Sequence, residues 1–85
     1  MSELQQTLRD LHRELGDARS LAPEDRDMLE TALGDIQRAL QAGEPPAAER
    51  PGDVLEGAAV RLEAGHPGLA TTLRSLIDAL SKAGI

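Results

Sequence analysis

His66-Pro-Gly-Leu-Ala-Thr-Thr-Leu-Arg-Ser-Leu-Ile-Asp-Ala-Leu-Ser-Lys-Ala-Gly-Ile85 is the most apolar stretch of the chain and the one with the clearest start and stop signals. Pro67 has a fixed φ that suits the first position of a helix, and its missing N–H would be unpaired there anyway. The proline ring holds His66, just before it, out of the α region. Leu69, Leu73, Leu76 and Leu80 then recur at spacings of four, three and four. That places them on one line along a helix, with Ala70, Ile77 and Ala83 beside it. Asp78 and Lys82 are an i,i+4 pair in the favourable order. Gly84 stands where helices turn left-handed to stop, and Ile85 is positioned to fold back on the last turn.

The same spacing recurs upstream. Ser2 can cap a helix with Gln5 in the capping-box position, and Leu4, Leu8, Leu11, Leu15 and Ala18 follow as a narrow line. His12 falls beside that line, and Arg13 and Asp17 are spaced for an ion pair. Pro23, Glu24 and Asp25 start a second helix: proline at the first position, acids facing the positive end of the helix dipole. Ala22 is a weak residue for the cap. Leu29, Leu33, Ile36 and Leu40 repeat the four–three–four line, widened by Met28, Ala32 and Ala39. Gly34 costs helix stability but permits close approach of another helix. The pattern stops at Ala42-Gly43. Helices over about 3–18 and 23–42, joined by a short connection, are expected to fold back as an antiparallel hairpin. Residues 43–52 carry three of the five prolines and read as a partly extended linker, long enough to let the C-terminal part reach a neighbouring chain. Residues 53–85 follow as a short helix capped by Asp53, a His-Pro turn and the C-terminal helix. The short helix, with Leu55, Ala58, Ala59 and Leu62, is Ala-rich and carries Gly57 inside it.

Composition bounds what such a chain does. Eighty-five residues make one small domain, which needs bracing to be stable alone. There is no Cys and no aromatic residue, so the core is aliphatic and disulfides and thiolate metal sites are excluded. Fifteen acidic residues against nine basic ones give a net charge of −6, which repels phosphate backbones and anionic membranes. No basic-then-apolar leader opens the chain, and no apolar run approaches the ~20 residues of a membrane span. The expected location is the cytoplasm.

Glu63-Ala64-Gly65-His66-Pro67, with Leu69-Ala70, Leu73-Arg74, Asp78, Leu80 and Gly84-Ile85, resembles the C-terminal pattern of an uncharacterised bacterial family, domain of unknown function 4404. The likeness extends to the opening Leu-rich helix and to Pro23-Glu24-Asp25-Arg26. Two positions depart from it: Ala22 stands where relatives tend to carry Ser, and Ala83 where they often carry Met. The resemblance implies a small bacterial helical protein. It brings no activity, cofactor or functional residue with it.

Few residue patterns suggest chemistry. Glu63-x-x-His66 matches one element of a di-iron bundle, but such sites need two of these elements plus two further Glu on facing helices. Only a two-fold axis would supply them, so the economical reading is a turn histidine that caps the last helix. His12 has no carboxylate at i±4 to orient it as a base. Ser75, Ser81, Thr71 and Thr72 lack a nucleophile context, and Gly65-His-Pro-Gly68 is not a phosphate loop. The interleaved acids and the absence of aromatics argue against nucleic acid. The polar face of the last helix, with only Arg74 and Lys82, is thin for a membrane-surface helix.

The sequence therefore predicts an all-α protein: an N-terminal antiparallel helical hairpin plus a C-terminal helix-turn-helix, packed as a coiled-coil-like bundle. A homodimer is the expected form, with a monomeric four-helix bundle as the alternative. The expected role is non-catalytic: a protein–protein interaction module without cofactor or metal. Its contact surface is placed at Leu69, Leu73, Leu76, Ile77 and Leu80, on the helix that starts at His66 and Pro67, and it would take a second copy or a partner helix. A metal-dependent enzyme with a site across a dimer axis and a peripheral membrane helix are the alternatives.

Overall fold

Among the described residues four helices form in the order the Leu lines predict: α1 (Glu3–Asp17), α2 (Pro23–Ala42), α3 (Pro51–Leu62) and α4 (Pro67–Ala83). The computed structural model describes residues 3–43 and 51–84. The expected Ser2 cap, the bulk of the expected linker (44–50) and the Ile85 fold-back lie outside the described residues. The all-α expectation holds, and α2 and α4 begin at their prolines. Gly43 and Gly84 end α2 and α4 at φ 69° and 79°, the left-handed region that a Cβ disfavours. α3 starts earlier than expected, so Pro51 and Gly52 belong to the helix rather than to the linker. Proline is preorganised for a first turn, and Asp53 then serves as an acid within that turn instead of as its cap.

Charges at the helix ends show how the four run. Lys82 near the end of α4 reaches Glu3 at the start of α1 (3.9 Å), and Arg61 in the last turn of α3 reaches Asp25 in the first turn of α2 (2.8 Å). The turn after Leu62 returns α4 along α3. Each neighbouring pair is thus antiparallel. The closest pairs are α3 with α4, α1 with α4 and α2 with α3. The sequence predicted a direct α1–α2 hairpin. The two do run antiparallel, but α1 lies on α4 and α2 on α3. Ala58 and Ala59 on α3 and Ala70 and Ala79 on α4 are all buried, and such small side chains allow close axes.

Among the described residues nineteen apolar ones make one continuous core, and no polar or charged residue is buried with them. Leu11, Leu29, Leu33, Ile36, Leu55, Leu73, Leu76 and Leu80 are essentially inaccessible. The radius of gyration, 12.0 Å, is about that of a compact fold of this length. Gly34 does not serve a close helix approach: a Cβ there would meet only the Arg38 side chain, at 3.6 Å.

Ala22 takes the N-cap position of α2 in an extended conformation (φ −60°, ψ 140°) and has no side-chain cap. A serine there can accept from the second or third N–H of the helix. Ala22→Ser is expected to stabilise the fold by about 1 kcal/mol, read as a rise in the urea midpoint at unchanged m. A midpoint at or below that of the parent chain would show that the cap geometry is not met.

Candidate functional site

The polar side chains that the fold brings together lie at one end of the bundle, where α1 stops and α2 and α4 start. α1 has no basic residue in its last turn, so its final carbonyls face an uncompensated negative dipole end. Arg26 of α2 supplies the missing charge. Its Nη1 donates to the Leu15 carbonyl and its Nη2 to the Ala18 carbonyl. Leu21 is buried beneath this connection. The two acids of α1's last turns, Glu14 and Asp17, are poorly placed for their own helix. They line the same shallow cleft as His66, Gly68 and Leu69 at the start of α4. α4 has no acid in its first turn and no side-chain cap, so the acids of α1 complement its positive end across the interface.

His66 sits at the N-cap of α4 with φ −138°, ψ 66°. The sequence expected its side chain to cap the helix, and it does not. Its backbone does the joining: its N–H donates to the Leu62 carbonyl (2.7 Å), closing α3, and its carbonyl accepts from Ala70 N–H (3.0 Å), opening α4. Glu63 is exposed and pairs with Arg74 (3.4 Å). The two members of Glu63-x-x-His66 therefore serve different neighbours. No group of three or more His, Cys, Asp or Glu converges on a common point among the described residues.

Asp25 and Arg61 close the other side of this end. Asp25 Oδ1 is buried and takes no directed hydrogen bond among the described residues, although Arg61 Nη2 is 2.8 Å away. The short distance and the opposite charges make this an ion pair whose alignment is not that of a hydrogen bond. Both partners suit their own dipoles, the acid at a helix start and the arginine at a helix end.

At the opposite end Lys82 bridges Asp78 (3.0 Å) and Glu3. The hydrogen bond and charge of Asp78, and then the charge of Glu3, raise the Lys82 pKa above the ordinary ammonium value. This support is present at neutral pH and is lost only as pH climbs through the raised pKa. The pairing expected between Arg13 and Asp17 goes instead to Asp10, at 3.6 Å. His12 is exposed and turns Nδ1 to the Leu8 carbonyl at 2.9 Å, the back-bonding of a surface helix residue.

The expected contact line faces inward. Leu69, Leu73, Leu76 and Leu80 are buried against α1 and α3, and Ile77 is half-buried at their edge. Within the chain they are core residues. No helix is long and apolar enough to cross a membrane among the described residues. Sequence reasoning missed Arg26, the residue with the most specific polar role. The signal was an arginine in the first turn of α2 together with a preceding helix that lacks any basic residue at its end.

Two of the segments that share in the family likeness, Pro23–Arg26 and Glu63–Pro67, thus lie at the same end of the fold. No curated protein and no solved structure matches the chain. A family model does match it, over residues 4–85, and with that extent the chain belongs to the family described as domain of unknown function (DUF4404).

Proposed function

We propose that the chain is a non-catalytic helical module that works by protein–protein contact and associates with itself as a homodimer. The observation that carries this reading is the way the family-matching residues are used. Arg26 holds the end of α1, Asp25 takes Arg61, Glu63 takes Arg74, His66 joins two helices through its backbone, and Leu69, Leu73 and Leu80 are core. Side chains occupied in building a bundle leave its outer faces as the working surface, and such faces act by docking. The α4 leucines contribute from inside, by fixing where those faces lie. A cysteine-free chain suits the reducing cytoplasm in which we place it.

Native mass spectrometry on protein purified without chelator tests the reading. The expected result is a dimer species without bound metal. One metal ion retained per dimer would replace it with the enzyme alternative built on Glu63 and His66 across a two-fold axis.

A further inference from the structure

We draw no further inference here: the strongest candidate, the outer face of α3 where the exposed Val60 lies beside Gly57, carries nothing because nothing in the structure shows what covers it.

Discussion

Leu76→Asp is expected to unfold the chain. Leu76 is wholly inaccessible and lies on α4, the helix that packs on both α1 and α3. Removing a buried leucine side chain down to alanine costs about 2–5 kcal/mol, and leaving a carboxylate in an apolar core adds several more unless the group protonates. A domain this small rests near the lower end of the usual stability of about 5–15 kcal/mol. The sum exceeds what the fold holds in reserve, so the helical circular dichroism signal should collapse at neutral pH. Leu76→Ala should leave a folded protein whose melting temperature falls by roughly 10–30 °C. Leu76→Met, which nearly conserves volume, should cost less than about 1.5 kcal/mol. The series also separates a core role from an exposed contact role. A contact residue on the surface would tolerate Asp with full helicity and lose only its partner. A Leu76→Asp protein with parental helicity and a cooperative melt would show that the α4 line does not face inward.

The elements were legible in the sequence because each boundary has a local cause. Pro23 and Pro67 start helices for the same steric reason in any context, and Gly43 and Gly84 end them because left-handed backbone favours glycine. The pairing of helices was not legible to the same degree. Leu4, Leu8, Leu11 and Leu15 match the spacing of Leu29, Leu33, Ile36 and Leu40, and equally that of Leu69, Leu73, Leu76 and Leu80. A line of leucines carries the period of a helix but not the identity of its neighbour. Proximity in sequence suggested α1 against α2. The closest contact goes to α4, with the charge of Lys82 set by Glu3 at one end and Glu14 and Asp17 beside the start of α4 at the other. The start of α3 was missed for a related reason: Asp53 is a good cap, and Pro51 among its neighbouring prolines reads as linker until the helix is seen to begin on it. The site residues divided in the same way. Pro67 acts through its own geometry and could be read locally. His66 and Arg26 take their roles from partners supplied by the fold: His66 a backbone carbonyl and N–H at two helix ends, Arg26 one carbonyl in the last turn of α1 and one in the connection after it.

Arg26 is where that dependence has its largest expected polar effect. Its two hydrogen bonds reach the Leu15 carbonyl in the last turn of α1 and the Ala18 carbonyl just beyond it, and charged hydrogen bonds contribute about 1.5–3 kcal/mol each when well shielded. Arg26 is only half-buried, so water takes over part of that role when the side chain is cut away. Arg26→Ala is therefore expected to cost about 2–3 kcal/mol in total, a fall in melting temperature of roughly 10–20 °C. Arg26→Lys keeps the charge near the negative end of α1 but replaces a planar fork with a compact ammonium, which cannot span the Leu15 and Ala18 carbonyls as the guanidinium does. It should recover less than half of the loss. Amide exchange locates the effect: protection at Arg19 and Leu21, whose N–H groups bond within this turn, should fall in Arg26→Ala while protection at Leu33 and Ile36 follows only the global change. If Arg26→Ala lowers the unfolding free energy from urea titration by less than about 0.5 kcal/mol, the ordinary range for surface substitutions, the guanidinium does not brace this end. The α1–α2 connection would then be held by the burial of Leu21 and by its own backbone hydrogen bonds. The guanidinium of Arg26 would in that case have its use outside the fold, and this end of the bundle would become the surface on which to look for a partner.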